Sequence, residues 1–377
     1  MSKVYLPTSE QMDTTLENLE RIAGSLGSKA EITSWEDIER AVKAGDAPRL
    51  FPIGTQFTVP HSAYGEMVFD VVAHDYFKSA IDENAHTMTL MSHNLIGVVQ
   101  FDGAEAFYYA ETALPAGTYN VTLDETYASW EKGSYQFTLT KTLPEGGHLC
   151  INGAANAAIT DRFVTAYSYY ANTTASETVK ITAGKSGTSL GTFGIELNNI
   201  RRVPYGSNNY KESAIRQFLN STERAGSVWK PQTKFDRPPS WVTNLAGFVG
   251  GLDDEFLSVI GKVIVPCVAN SAYESPDSTV VKGEKYTVAD KFYLASQTEI
   301  FGATSGSAND GSVLFPYYNG AANADRIKYR GGVATAWRSR TPFTTSSISV
   351  QNVSADGSVS QVVANDTLGC APVCTIV

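Results

Sequence analysis

Cysteine is scarce in this 377-residue chain. The four present, Cys150, Cys267, Cys370 and Cys374, are too few for a disulfide framework. On one strand Cys370 and Cys374 would stand about 13 Å apart, at roughly 3.3 Å per residue, too far for an S–S bond or a shared metal. They read as small buried hydrophobes. Histidine is scarce too, and His61, His74, His86, His93 and His148 all precede position 150. Their spacing forms no recognised metal-ligand cluster, and no metal or other cofactor is expected. No apolar run approaches the roughly 20 residues that span a bilayer, and Met1 to Pro7 lack the apolar core of a secretory signal. The expectation is a protein made in the cytoplasm without signal peptide or membrane insertion. Positive charge is in deficit, with 29 Lys and Arg against 39 Asp and Glu. That balance excludes a dense phosphate-binding face, so no nucleic-acid partner is expected. The local basic patch Arg326, Lys328, Arg330, Arg338 and Arg340, opposed only by Asp325, fits strand pairing as well.

What is present suits a packed core: 42% of residues are hydrophobic and 18% charged. The length suggests two or three domains. Residues 1–50 read as an N-terminal helical segment for assembly or anchoring. Ser9 can cap a helix with Met12, Leu16, Leu19, Ile22, Ala23 and Leu26 on one stripe, closed by Gly27. Ser34 with Asp37 resembles a capping box opening a second helix that carries Ile38, Ala41 and Val42 to Gly45. The stripe either packs on the protein's own body or docks against another subunit. From Phe51 the pattern turns to strands, and Met67–Ala73 and Thr87–Met91 suggest antiparallel pairing. Residues 100–198 carry short alternating segments between turn signals such as Pro115-Ala116-Gly117 and Pro144-Glu145-Gly146-Gly147. They read as an inserted all-β sandwich.

The Gly184-Lys185-Ser186 triplet lacks the glycine a phosphate loop needs at Val179, and that reading is rejected. Phe163, Tyr167, Tyr169 and Tyr170 fit either a sugar-stacking platform or cross-strand packing. Further on, Asn208 or Asn209 can cap a helix whose Tyr210, Ala214, Ile215, Phe218 and Leu219 share a face. After Gly250-Gly251, Asp253, Asp254 and Glu255 open another helix, where the macrodipole explains the acids without catalysis. From Thr341 to Val377 the only charged residues are Asp356 and Asp366, among Ser, Thr, Asn and Val in strand-like alternation. These read as closing strands of a domain.

Several motifs then follow in a telling order: Ile215-Arg216-Gln217-Phe218-Leu219-Asn220, the helix at Asp254 to Ile260, Phe292-Tyr293-Leu294-Ala295-Ser296, Trp337-Arg338-Ser339, Asp356-Gly357-Ser358 and Gly369 to Val373. The chain resembles a C-type-lectin-like domain family of unassigned function, distantly similar to formylglycine-generating enzymes. Phe218 stands where that family has Trp, Arg340 where it has Pro, and Cys370-Ala371-Pro372 where it has Val-Arg-Pro. The resemblance implies an α+β fold: a C-type-lectin-like domain over 51–99 and 199–377, with the sandwich inserted and the helical segment in front. It also resembles phage tail and receptor-binding proteins, and variable proteins of diversity-generating retroelements whose C-terminal face is rewritten by directed mutation.

On this reading the protein is a non-enzymatic, virion-associated ligand-binding protein. Its partners would be a host-surface protein or glycan and other virion proteins, with homo-oligomerisation left open. Ligand contacts are expected from 317–330 and 340–352. Tyr317, Tyr318, Tyr329 and Phe343 would supply rigid area, and Asn319, Asn323, Thr344, Gln351 and Asn352 adaptable hydrogen bonds. Arg330 and Arg340 would be hot spots. Trp337 and Arg338 are assigned to the core, with the arginine bonding buried carbonyls. The alternatives are a structural virion protein without a receptor role, and carbohydrate binding by the inserted sandwich. An oxidoreductase built on Cys267 and Cys370, or a Ser/His/Asp hydrolase, finds no matching sequence context.

Overall fold

Ser34 opens a helix for the reason its spacing gives. The computed structural model describes residues 32–103, 208–232, 238–270, 283–302, 308–344 and 349–377 and, between 104 and 207, chiefly strand backbone. In it the Ser34 hydroxyl accepts the Asp37 amide, and the Asp37 carboxylate accepts the Ser34 amide. Helix α1 (Trp35–Lys43) buries Ile38 and Val42. Trp35 packs against Phe57 at 5.5 Å and Phe256 at 4.7 Å, so this helix lies on the protein's own body. A short turn of helix, α2 (Ala47–Leu50), leads into the strands. The helix expected between Ser9 and Gly27 lies outside the described residues.

Strands β1 (Gln56–His61), β2 (Gly65–His74) and β3 (Met88–Ser92) pair antiparallel in sequence order, as the two apolar runs require. Strand β4 (Val98–Gln100) departs to a second sheet. Next come β5 (Phe107–Ala110), β6 (Gly117–Leu123), β7 (Gly133–Leu139), β8 (His148–Ile151), β9 (Ala166–Ala171), β10 (Ala175–Lys180) and β11 (Ile200–Val203). Five of these form a sheet in the order β10-β9-β8-β5-β11, and β6 and β7 form a hairpin. The expected insert is therefore β-structured where it is described. The side chains of its aromatic cluster and the Gly184 triplet lie outside the described residues.

Helix α3 (Ala214–Leu219) buries Ala214, Ile215, Phe218 and Leu219 as the spacing predicts, but its cap is Ser213, whose hydroxyl accepts the Arg216 amide. The Asn208 side chain instead donates to the Ser349 carbonyl. Asp253 caps α4 (Asp254–Val259) by accepting the Phe256 amide, so this acid serves the helix end. Strands β12 (Val263–Val268), β13 (Lys285–Asp290) and β14 (Phe292–Leu294) precede α5 (Gln297–Phe301), which Ser296 and Glu299 open with a capping box.

The C-terminal part supplies β15 (Tyr329–Arg330), β16 (Val333–Ala334), β17 (Trp337–Pro342), β18 (Ser349–Val353), β19 (Val359–Val363), β20 (Thr367–Gly369) and β21 (Pro372–Ile376). Two five-stranded sheets result, β1-β2-β3-β21-β14 and β19-β18-β17-β20-β4. The fold is mixed α+β, mostly sheet with short helices. Every residue of β21 is buried between β3 and β14, so the chain end is core. Burying each large apolar side chain there contributes about 1.5–3 kcal/mol. Cys267, Cys370 and Cys374 are free and buried, and burial pushes the Cys267 thiol up to about 12. They are packing residues, as expected. Trp337 and Arg338 are fully buried, and Arg338 Nη2 donates to the carbonyls of Val363, at 2.9 Å, and Asp366. Among the described residues no helix is long and apolar enough to cross a membrane.

Candidate functional site

Asp70 sits mid-β2 with its side chain only 3% exposed, where a carboxylate is costly unless its oxygens are bonded. Two donors converge on it. Register places Gln56 opposite Asp70, and Gln56 Nε2 donates to Oδ1 at 2.8 Å. His93, one residue past β3, donates its Nδ1–H to Oδ2 at 2.8 Å, while its main-chain N–H bonds to the Val68 carbonyl. Tyr317 stands beside the pair; burial first, then the Asp70 charge, holds its phenol above its ordinary value. With Nδ1 engaged, the His93 tautomer and ring orientation are set, and Nε2 lies on a side chain 44% exposed.

Lys328 braces this group from below. Its ammonium donates to the carbonyls of Ser92 and, at 3.1 Å, His93, and lies 5.7 Å from the Trp337 ring. Burial lowers its pKa to about 8, against the pull of Asp70.

The residues expected to bind ligand divide sharply. Tyr317 is half-buried beside Asp70, and Asn319, Asn323, Tyr329 and Arg330 are exposed on the segment that follows. The Tyr329 carbonyl accepts the Leu95 amide, which ties that segment to the chain just beyond His93. Gly357, with φ +80°, packs directly beneath the Asn323 carbonyl, where any Cβ would collide. The Asp-Gly-Ser turn thus supports the loop that carries Asn323.

Tyr318, Arg340, Gln351 and Asn352 are corrected by the structure. Tyr318 is buried, with its hydroxyl 3.7 Å from Met91 Sδ. Arg340, 1% exposed, bonds both Glu299 oxygens at 2.6 and 2.7 Å and lies 3.3 Å from Asp310. Burial raises the Glu299 carboxyl while Arg340 opposes the shift. Gln351 and Asn352 are buried within β18, flanked by β17 and β19. Phe343 and Thr344 are half-buried at the end of β17 remote from Trp337, where Asn270 Nδ2 donates to the Phe343 carbonyl. The basic patch is not a surface feature either: Arg326, Lys328, Arg338 and Arg340 are buried, and only Arg330 is exposed.

Asp70, His93 and Gln56 were not apparent from sequence. A lone acid inside the apolar run Met67–Ala73 is the signal that points to Asp70, because such a carboxylate needs partners. Among the described residues no group of His, Cys, Asp and Glu could hold a metal ion. A cleft of about 600 Å³ opens between 74–79, β12–β13 and 311–313, and none of the expected ligand residues lines it.

The model of a family described as a domain of unknown function (DUF6273) matches residues 176–377. No curated protein and no solved structure matches the chain.

Proposed function

The chain belongs to the DUF6273 family, and we propose that it is a non-enzymatic binding protein whose ligand meets the face formed by His93, Tyr317, Asn319, Asn323, Tyr329 and Arg330. The observation that carries this is the buried Asp70 carboxylate holding Gln56 and exposed His93 in one unit at the surface, with half-buried Tyr317 beside it. Groups fixed in this way lose little further freedom when a ligand binds. Aromatic rings, amides and one arginine around them are the composition of an adaptable contact surface.

Chemistry is less well supported than binding. His93 and Asp70 could orient a general base, but the nearby Ser92 hydroxyl donates to the Asn94 carbonyl. The thiols of Cys267 and Cys370 are buried and raised by that burial, which suits packing rather than redox work.

The C-type-lectin-like arrangement and placement on a phage virion belong to the same proposal. They rest on the order of the C-terminal motifs, with support from β21 closing between β3 and β14. Asn319, Asn323, Tyr329 and Arg330 are exposed, as a diversified face requires. The ligand class is a host-surface protein or glycan. The test is binding of parent and a His93→Ala/Tyr317→Ala/Tyr329→Ala variant to a glycan panel and to intact host cells. Loss in the variant supports the face; equal binding overturns it.

A further inference from the structure

Strand β19 forms one edge of its sheet, and its free side is set by the hairpin before it. The Ser354 amide donates to the Ser358 carbonyl at 2.8 Å, which fixes the hydrogen-bonding phase between β18 and β19. Counting two residues at a time from that pair, Ser360 and Val362 bond inward to Asn352 and Val350. The main-chain groups of Val359, Gln361 and Val363 therefore point away from the sheet. Val359 is 44% exposed and Gln361 is exposed as well. Among the described residues only the Val363 carbonyl of these outward groups is occupied, by Arg338 and the Asp366 amide.

Native edge strands are normally blunted by a lysine, a proline, an inward charge or a bulge. Val359-Ser360-Gln361-Val362-Val363 has no charge and no proline, and it pairs with β18 without a register shift. An open edge of this kind is a template for one more strand.

A second copy of the chain fits it poorly. Antiparallel self-pairing would centre on Gln361, and Asp356 and Asp366 lie five residues to either side of it. Each Asp356 would then approach the end that carries Asp366 of the other copy. Both acids are exposed, and the chain's net charge of −10 adds to the repulsion.

We propose that β19 is a strand-addition site for an extended segment of a different protein, uncharged and β-branched at its centre and flanked by Lys or Arg that meet Asp356 and Asp366. The main-chain bonds supply affinity, and the flanking acids select the basic partner.

The test uses the full chain and two synthetic peptides with a Val-Thr-Val-Thr-Val centre, one flanked by lysine pairs and one by glutamate pairs. Titration by fluorescence anisotropy should show saturable binding of the lysine peptide, about tenfold tighter than the glutamate peptide. On binding, the amides of Val359 and Gln361 should gain protection from hydrogen exchange. Gln361→Pro removes an outward N–H that bonds nothing within the sheet, so the variant should melt near the parent yet lose the peptide. Asp366→Lys is a second variant that leaves the ladder intact, and it should bring the two peptides closer in affinity. Equal binding of both peptides, or a Gln361→Pro variant that melts as the parent and binds as well, overturns the proposal. A dimer of the free chain that Gln361→Pro dissociates also overturns it, because the occupant would then be a second copy.

Discussion

The exposed ring of His93 and the buried carboxylate of Asp70 meet at 2.8 Å, and this one bond connects the surface to the interior of β2. Gln56 ends on the same carboxylate, and the Tyr317 phenol feels its charge. Asp70→Asn keeps the shape and removes the charge that two donors share. It should cost about 1–3 kcal/mol in denaturant unfolding. Tyr317→Phe should cost about 1 kcal/mol in the parent and less in Asp70→Asn, giving a coupling of at least about 0.5 kcal/mol. Additive effects would mean that Tyr317 and Asp70 do not interact.

Two neighbouring arginines on β17 are buried by different means. Arg338 ends on main-chain carbonyls, and Arg340 on Glu299 and Asp310. Arg340→Met should destabilise by about 3–5 kcal/mol, because it leaves two carboxylates buried without their cation. Arg338→Ala should also lower the melting temperature by several degrees, since the Asp366 carbonyl left without its donor costs about 1–3 kcal/mol. A melt of either variant that overlays the parent's would contradict the network.

Lys328 gives a pH signature. Its folded pKa is lowered from 10.5 to about 8 by burial, so between those values the unfolded chain holds a proton there that the folded chain does not. Stability from this group therefore rises as pH increases through that window. Unfolding free energies of the parent and Lys328→Met, compared from about pH 8 to about pH 10, should diverge in the parent's favour. A constant difference would show that Lys328 does not titrate as its burial requires.

Much of this architecture is legible in the chain itself. Ser34 and Asp37 announce a helix start because a capping box is local, and the β2–β3 pair follows from two apolar runs. The burial of Arg338 between Trp337 and Ser339 was legible for the same reason. Arg340, Gln351 and Asn352 were misread as surface because alternation assigns faces without showing what covers them. All six residues of β17 are buried, so its polar positions face packed protein. Nor does sequence bring His93 to Asp70. That contact depends on the pairing of Phe69 with Ser92 and on a register shift between Val71 and Ala73.

The most direct test of the binding face is a side-by-side titration of the parent and the His93→Ala/Tyr317→Ala/Tyr329→Ala variant against a glycan panel and intact host cells, with melting curves confirming that both are folded. The parent should bind at least one target saturably, and the variant should bind it at least about tenfold more weakly, a loss of about 1.4 kcal/mol or more. A folded variant that binds every target as the parent does would place the ligand elsewhere and contradict the account.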